Sequence, residues 1–329
     1  MINGDLRNIR RLIRVTRSIC GDLPAGEFGP RALQDVRREM VKLDWNRTTV
    51  NKAVRSVIRA FKHAVSHEMI KPEVITALEC VDSLKRGELG VREGGKVRPV
   101  ANAEINAVQP HVSRQVWAMI ELQRLTGMRP AEVCAMRPVD IDTAGDVWVY
   151  KPEQHKNAHR GHERVIGLGP QAQDVLKPFL SRRTTDCLFS PAEAEQERRA
   201  AMRETRTAHP STNKSRDAER RESPRDRAGQ KYDTASYRRA IEYACNKAFP
   251  VPAELARKRV SGRGRKMRWE TDAEYHQRLG EQGLAQLKQW RIDHWWSPNR
   301  LRHTAATELR RQFGIEAARV MLGHKSAGI

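Results

Sequence analysis

The stretch LTGMRPAEVCAMRPVDID (residues 125–142) places an arginine between a turn and a helix. Its opening Thr-Gly-Met-Arg-Pro has the residue types of a turn, whereas the spacing of Val133 and Met136 predicts the buried face of a helix. Arg129 therefore lies where the turn ends and the helix begins. A guanidinium held at such a position is directed at a binding partner, which the remaining sequence should identify.

The composition indicates a polyanionic partner. The chain of 329 residues contains 61 lysines and arginines against 40 aspartates and glutamates, which gives a net charge of +21. Such an excess favours nucleic acid, because lysine and arginine release condensed counterions when they bind phosphates. A basic protein that is merely soluble is the alternative at this stage. The length is sufficient for two domains with cores of their own.

The cysteines and the hydropathy pattern narrow the class of protein. The five cysteines lie far apart, and this spacing argues against a zinc knuckle or a disulfide framework and suits a reducing cytoplasm. No apolar run approaches the length of a membrane span, and the N-terminus has no signal-peptide pattern. We therefore expect a soluble cytoplasmic protein without a membrane partner.

Residues 1–88 are predicted to form a small helical bundle that faces DNA. Thr48 and Thr49 have the character of N-cap residues, and valines follow at helical spacing from Val50. The basic face of this helix comprises Lys52, Arg55, Arg59 and Lys62. An earlier helix carries arginines opposite an apolar stripe of Leu6, Ile9, Leu12 and Ile13. A solvated surface is the ordinary alternative, but two such helices with few acidic residues favour a surface that follows DNA phosphates.

The rest of the chain is predicted to form one larger domain. Residues 89–101 are rich in glycine and have the character of a linker, and helical spacing resumes in the second domain, residues 102–329. The alternating valines Val147, Val149 and Val165 predict a β-hairpin with a long turn.

Two charged segments interrupt this domain. Residues 191–230 contain few apolar side chains, so we expect an insertion that is mobile or loosely helical. The basic sequence RKRVSGRGRKMR (257–268) predicts a loop that reaches DNA phosphates, with a disordered basic tract as the alternative. The candidate DNA contacts of this loop are Arg263, Arg265 and Lys266.

A helix near the C-terminus carries the second group of candidate residues. Pro298 suits its first turn, Asn299 and Arg302 share one face, and His303 lies one step further round. Its buried side is predicted to consist of Leu301, Ala305, Ala306 and Leu309. Gly314 is predicted to end this helix, and a short second helix follows.

Four residues in order, Arg129, Lys156, Arg302 and His324, resemble the signature of the tyrosine recombinases, the phage integrase family. Their contexts LTGMRPAEV, HKNAHRGHERV, NRLRHTAATEL and LGHKS fit that signature, and the resemblance covers residues 40–329 apart from the insertion. The resemblance implies a mainly α fold with a small antiparallel β-sheet. It also implies a two-domain DNA clamp, made of an N-terminal helical core-binding (SAM-like) bundle and an α+β catalytic domain.

The resemblance implies a role for each of these residues. In this family a tyrosine hydroxyl attacks a DNA phosphodiester to give a 3′-phosphotyrosine and a free 5′-hydroxyl, with no metal and no cofactor. Arg129 and Arg302 match a clamp on the non-bridging oxygens, which guanidiniums can bind bidentately. Lys156 matches the general acid for the leaving 5′-oxygen, and His324 matches a residue that hydrogen-bonds the phosphate. Glu132 matches an acidic residue that orients the first arginine.

Some of these assignments have alternatives within the sequence. Lys151 lies on the same predicted hairpin and is the alternative to Lys156 as the general acid. His303 is expected to pack or to orient its helix beside Arg302 rather than to transfer a proton. The histidines of the hairpin turn are expected to be solvated rather than to bind a metal. They are His155, His159 and His162.

The sequence departs from the family pattern at two places. Asn299 lies three residues before the second arginine, where many members have histidine, and asparagine cannot exchange a proton near neutral pH. The chain also ends five residues after His324, before the position of the family's nucleophilic tyrosine. We therefore expect a truncated recombinase that binds DNA and orders the phosphate site.

The sequence thus predicts a site-specific DNA recombinase or integrase of a bacterial, phage or mobile-element context, acting in the cytoplasm near the nucleoid. Its expected partners are double-stranded DNA and accessory DNA-bending proteins. Without DNA we expect a monomer, and on paired recombination sites we expect a homotetramer. A non-catalytic DNA-binding or regulatory protein on the same fold is the alternative, favoured by Asn299 and the missing tyrosine. A nucleic-acid packaging protein would explain the charge but not the ordered motifs.

We predict that these 329 residues form no covalent adduct with DNA, because the nucleophile expected after His324 is not among them. The test is incubation with a nicked suicide substrate, which traps a covalent protein–DNA species that a denaturing gel resolves. A trapped adduct would contradict the prediction.

Overall fold

The computed structural model of the protein describes residues 2–95, 97–155, 161, 163–205, 228–261 and 267–323. The chain divides into two compact units, Met1–Lys96 and Val97–Ile329. Each unit has a hydrophobic core of its own. The division drawn from the sequence, with a linker at residues 89–101, stays a prediction.

The first unit is a bundle whose described helices are α1 (Ile2–Cys20), α2 (Pro30–Lys42), α3 (Arg47–Ser66) and α4 (Pro72–Glu79). Its fully buried side chains include Leu33, Val36, Met40, Val50 and Leu78. α3 begins earlier than predicted. The side chain of Asn46, rather than Thr48 or Thr49, caps the helix by accepting the backbone N–H of Thr49 at 2.9 Å.

α1 buries a different side from the one predicted. Leu12 and Val15 are buried, whereas Leu6, Ile9 and Ile13 are between 42% and 49% exposed. α1 packs mainly against α2, so only the side that faces α2 is covered. The predicted stripe was therefore wrong for all of its members except Leu12.

Asn51 is a buried polar residue that joins α3 to the chain beyond α4. Its amide nitrogen donates to the carbonyl oxygen of Leu84 (3.1 Å), and its Oδ1 accepts the backbone N–H of Leu84 (2.9 Å). Asn51 is 7% exposed and Leu84 is 2% exposed. The amide therefore takes the place of water for two backbone groups that the fold removes from solvent.

The second unit is built around one central helix. Its described helices are α5 (Asn102–Ala107), α6 (Arg114–Thr126), α7 (Pro130–Cys134), α8 (Pro170–Leu176), α9 (Pro191–Glu204), α10 (Thr234–Ala248), α11 (Asp272–His294) and α12 (Pro298–Leu322). The central helix α6 packs against α8 and α12, and its Met119 and Leu122 are fully buried. Val133 and Met136, which the first motif predicted to be inside, are also fully buried.

A three-stranded antiparallel sheet belongs to the same unit, with β1 (Ile141–Asp142), β2 (Trp148–Tyr150) and β3 (Ile166–Leu168) in that order. The predicted hairpin is confirmed as β2–β3, but two of the valines that indicated it do not belong to its buried face. Tyr150, Ile166 and Leu168 are buried, whereas Val147 and Val165 are 53% and 47% exposed. Side chains alternate between the two faces of a strand, so a shift of one residue exchanges the buried and exposed sets.

Two charged segments contain regular structure: a helix in the first, where loosely helical chain was one expectation, and a hairpin in the second, where a loop was predicted. α9 occupies the first part of the predicted insertion 191–230, much of whose remainder lies outside the described residues. Within the basic segment 257–268, β4 (Arg259–Ser261) and β5 (Met267–Trp269) form an antiparallel hairpin. Backbone pairing needs no apolar side chains, which accounts for strands in so polar a sequence. A separate small core of Leu255, Tyr275 and Leu287 connects this region to α11.

α12 has a break in its middle and a glycine at its end. Gly314 has a φ of +82° and a ψ of 176°, which interrupts the helix at the predicted position. Leu301, Ala305 and Ala306 are buried, as predicted. Gly323 adopts the left-handed conformation (φ +64°) that commonly ends a helix.

The described residues thus form a mainly helical fold with small antiparallel sheets, and the predicted fold class is confirmed. Among the helices of the described ranges, none combines the length and the apolar character needed to cross a membrane.

Asn51→Ala should lower the free energy of unfolding of the first unit by about 3 kcal/mol, because it leaves two buried backbone groups of Leu84 without a partner. Urea unfolding followed by circular dichroism measures the change. Lys52→Ala, on the exposed side of the same helix, is the control and should change stability by less than about 0.5 kcal/mol. Equal losses in the two variants would contradict the prediction.

Candidate active site

The first candidate arginine is held at the start of α7 by a buried carboxylate. Arg129 is the N-cap residue, with extended backbone angles, and Pro130 follows in the first helical turn. The backbone N–H of Arg129 donates a hydrogen bond to one carboxylate oxygen of Glu132, and Nη1 of Arg129 donates to the other, both at 2.7 Å. The side chain of Glu132 is 2% exposed and that of Arg129 is 24% exposed. The guanidinium is thus fixed on one side and open to solvent on another.

The turn before Arg129 requires glycine. Gly127 ends α6 in the left-handed conformation, with a φ of +64°. A Cβ at this position would lie 2.4 Å from Cδ2 of Leu322 and 3.4 Å from Cβ of Ala305. Glycine therefore allows the turn and also the close approach of α12.

The second candidate arginine joins the ends of two helices. Nη1 of Arg302 donates to the carbonyl oxygen of Gly127 at 2.6 Å, and Nη2 donates to that of Leu322 at 2.7 Å. Carbonyl groups at the C-terminal end of a helix carry partial negative charge, which favours a cation there. Arg302 thereby holds the end of α12 against the turn that precedes Arg129.

A third arginine completes the cluster. Arg164, two residues before the start of β3, is 6% exposed. Its Nε lies 3.6 Å from Oε1 of Glu132, and its Nη1 donates to the carbonyl oxygen of Met321 at 3.2 Å. The side chains of Arg129, Arg164 and Arg302 therefore surround the single carboxylate of Glu132. We name these four residues the arginine cluster.

The electrostatics of the arginine cluster favour an anionic ligand. Burial, together with the charges of Arg129 and Arg164, lowers the pKa of Arg302 to about 10, and the Glu132 carboxylate opposes this shift. Burial also lowers the pKa of Arg164. Three guanidiniums and one carboxylate give these four side chains a net positive charge, held partly away from water. A phosphate bound at this place would accept charge-assisted hydrogen bonds from such groups.

Tyr150 supports the cluster from the sheet. Its hydroxyl donates to the backbone carbonyl oxygen of Glu132 at 2.8 Å. The side chain is fully buried, and burial raises the pKa of its hydroxyl above the ordinary value. This tyrosine therefore positions α7 relative to β2.

The other predicted site residues are less closely linked to the arginine cluster. Asn299 and His303 are exposed on α12, and exposure of His303 differs from the packing role expected for it. Lys151, the alternative general acid, forms an ion pair with Glu163 at 3.1 Å. Several predicted site residues lie outside the described residues, namely Lys156, His159, His162, Arg263, Arg265, Lys266 and His324.

The basic side of α3 is exposed as a continuous surface. Lys52, Arg55, Arg59 and Lys62 all have exposed side chains, while Val50, Val54 and Val57 on the other side are buried. We name these four cations the α3 basic face.

Arg164 was not singled out from the sequence. A signal did exist, because side chains two residues apart in a strand share a face. Arg164 is thus in phase with the buried Ile166 and Leu168, which would have predicted an inward-facing arginine once the register of the hairpin was known.

Comparison with known proteins finds a family model that matches part of the chain and solved structures with a similar fold. Residues 101–223 match the model of the phage integrase family. The chain is similar in fold to the Tn1549 transposon integrase in complex with circular intermediate DNA, with 14% identity, a TM-score of 0.55, and coverage of 99% of this chain and 87% of the other. It is also similar to a λ integrase dimer bound to a COC′ core site, with 14% identity, a TM-score of 0.57, and coverage of 98% and 85%. No curated protein sequence matches the chain.

The matched segment resembles the phage integrase family, and the fold of the chain is that of the two integrases.

Gly127→Ala should lower the free energy of unfolding by about 3 kcal/mol, through strain in the left-handed conformation together with the clash with Leu322. Gly87→Ala is the control, because Gly87 is also left-handed (φ +79°) but has nothing within 4 Å of an added Cβ. The control should lose only about 1 kcal/mol. Urea unfolding of both variants measures the difference, and equal losses would show that the approach of α12 imposes no constraint.

Proposed function

We propose that the chain is the DNA-binding and phosphate-binding part of a tyrosine-type site-specific recombinase, which breaks and rejoins DNA strands through a 3′-phosphotyrosine. The observation that supports this most strongly is the arginine cluster, with three guanidiniums around one carboxylate. Negative charge grows on the non-bridging oxygens of a phosphate during transesterification, and fixed guanidiniums stabilise that charge.

In this proposal Arg129 and Arg302 bind the non-bridging oxygens of the scissile phosphate. Glu132 holds one guanidinium, and two backbone carbonyl groups hold the other, so both are oriented before the DNA binds. A pKa of about 10 leaves Arg302 protonated at neutral pH. Arg302 therefore acts as a permanent cation rather than as a proton donor.

The proton transfers are assigned from the family resemblance. Lys156 protonates the leaving 5′-oxygen, and His324 donates a hydrogen bond to the phosphate. Asn299 is exposed on α12 three residues before Arg302. Its amide can donate a hydrogen bond to the phosphate but cannot accept the proton of the nucleophile.

We infer that none of the tyrosines within these 329 residues is the nucleophile. Four of the five are buried: Tyr150, Tyr232, Tyr237 and Tyr275. Burial raises the pKa of the Tyr150, Tyr232 and Tyr237 hydroxyls, which opposes formation of a phenolate. Tyr243 is exposed on α10, outside the sequence context of the family's nucleophile. These residues alone would then bind DNA without cleaving it.

Double-stranded DNA is the proposed partner, and the α3 basic face is proposed to contact its phosphates. A similar structure is a λ integrase tetramer bound to a Holliday junction, with 13% identity, a TM-score of 0.56, and coverage of 99% of this chain and 72% of the other. We propose the same tetrameric assembly on paired sites for this chain, with accessory DNA-bending proteins. A cytoplasmic location near the nucleoid fits this partner.

The second candidate function is a non-catalytic DNA-binding or regulatory protein with the recombinase fold. Asn299 favours it, because a proton acceptor is missing at that position. Both candidates predict DNA binding, so a covalent protein–DNA adduct formed by the natively expressed protein on a nicked suicide substrate distinguishes them.

Lys52→Ala should weaken binding to a short DNA duplex of arbitrary sequence and lower the slope of log K against log salt by about 1, because one phosphate contact is lost. Fluorescence anisotropy at several salt concentrations measures the slope. Lys42→Ala is the control in the same unit, since Lys42 is exposed but pairs with Glu39, and its slope should equal that of the unchanged protein. An unchanged slope for Lys52→Ala would exclude this face from the DNA contact.

Arg129→Met should weaken binding of inorganic phosphate by about tenfold, because a charge-assisted hydrogen bond to the anion is lost. Phosphorus NMR titration of the whole chain measures this affinity. Arg310→Met, at an exposed position of α12, should bind phosphate as the unchanged protein does. If the unchanged protein does not bind phosphate, or if both variants bind it equally well, the proposed phosphate site is wrong.

A further inference from the structure

Arg164 is the most buried arginine among the described residues. It lies two residues before the start of β3, and the family resemblance assigns it no role. Its position in the arginine cluster raises the question of why a charged side chain is kept where an apolar one would fit the sheet.

The contacts of Arg164 connect two parts of the site. Its Nε faces Oε1 of Glu132 at 3.6 Å, and this is the same oxygen that accepts Nη1 of Arg129 at 2.7 Å. On its other side, Nη1 donates to the carbonyl oxygen of Met321 in the last turn of α12. One guanidinium thus spans from the carboxylate that holds Arg129 to the end of α12.

Gly323, which follows α12, leaves space for this guanidinium because it has no side chain. A Cβ at Gly323 would lie 2.6 Å from Nη1 of Arg164 and 3.4 Å from its Cζ. Gly323 directly precedes His324 in the sequence. Arg164 therefore packs against the turn from which the predicted phosphate-binding histidine leaves the helix.

The burial of Arg164 costs free energy of folding, and an apolar residue with a purely structural role would avoid that loss. Its Nε and Nη2 are covered from solvent and have no hydrogen-bond partner, and such unpaired charged groups destabilise a fold. A well-packed apolar side chain of similar volume often avoids that loss. The coverage of both nitrogens also means that neither is open to a DNA phosphate. The charge must therefore act through Glu132 and through the end of α12.

We propose that Arg164 is a positioning residue of the phosphate site. It holds the Glu132 carboxylate that orients Arg129, and it holds the Gly323 turn that precedes His324, so that it sets the spacing between the groups that bind the phosphate. This inference rests on the proposed function, because it assigns Arg164 to the same phosphate site.

The first test compares two changes at Arg164 with a matched control. Arg164→Met should weaken binding of inorganic phosphate to the whole chain by about tenfold, and Arg164→Lys should restore part of the affinity, because its amine can still pair with Glu132. The control is Arg182→Met. Arg182 also joins a carboxylate, Glu193, to two backbone carbonyl groups within the second unit. The Arg182→Met variant should have a lower melting temperature and an unchanged affinity for phosphate.

The second test is a double-mutant cycle with Gly323. Gly323→Ala should weaken phosphate binding in the unchanged protein, because the added methyl group displaces the guanidinium of Arg164. In an Arg164→Ala background the same change should cause no further loss, since the group it displaces is absent. Backbone strain at Gly323 is present in both backgrounds and cancels from the cycle. Additive losses would overturn the proposal.

The outcomes separate this inference from the proposed function. If Arg129→Met weakens phosphate binding but Arg164→Met binds phosphate like the unchanged protein, the role of Arg164 is wrong and the phosphate site stands. If the unchanged protein does not bind phosphate, both are wrong. If Arg164→Met fails to fold, Arg164→Lys and the glycine variant decide the question.

Discussion

The rest of the site depends on the buried carboxylate of Glu132. It accepts both the backbone N–H and the guanidinium of Arg129 and faces the guanidinium of Arg164, while the carbonyl of the same residue accepts the hydroxyl of Tyr150. A buried carboxylate without partners costs several kcal/mol, so each of these contacts is strongly favoured. This one residue, 1% exposed, thus joins the start of α7 to β2 through its backbone carbonyl and to the chain before β3 through its carboxylate.

The arginine cluster concentrates positive charge in a partly buried place. Glu132 forms ion pairs with Arg129 and Arg164, and the carbonyl groups at the ends of α6 and α12 stabilise the guanidinium of Arg302. In the function that we propose, this charge attracts a phosphate more strongly than it would in water. Proteins accept local losses of stability at sites that act on charged ligands, and compensate elsewhere in the fold.

The site also depends on packing between elements that are distant in the chain. Arg129 follows α6 and Arg302 lies in α12, with the sheet, α8 to α11 and the second hairpin between them in sequence. The packing of α12 on α6 brings the two arginines together, and the absent side chain of Gly127 permits the necessary approach. The region of α11 has a separate small core, whereas the sheet, α8 and α10 contribute side chains to the main core of the unit.

The sequence alone determined the features that depend on neighbours in the chain: the buried face of α3, the inward Val133 and Met136, the break at Gly314, and the motif order that pointed to Arg129 and Arg302. It did not determine the register of the β2–β3 hairpin or the buried side of α1, because burial depends on which element packs against a surface. Only the tertiary structure placed Arg164 in the site, since its partners lie at α7 and at the end of α12. In sequence it is one arginine among many, and long-range packing makes it different from the others.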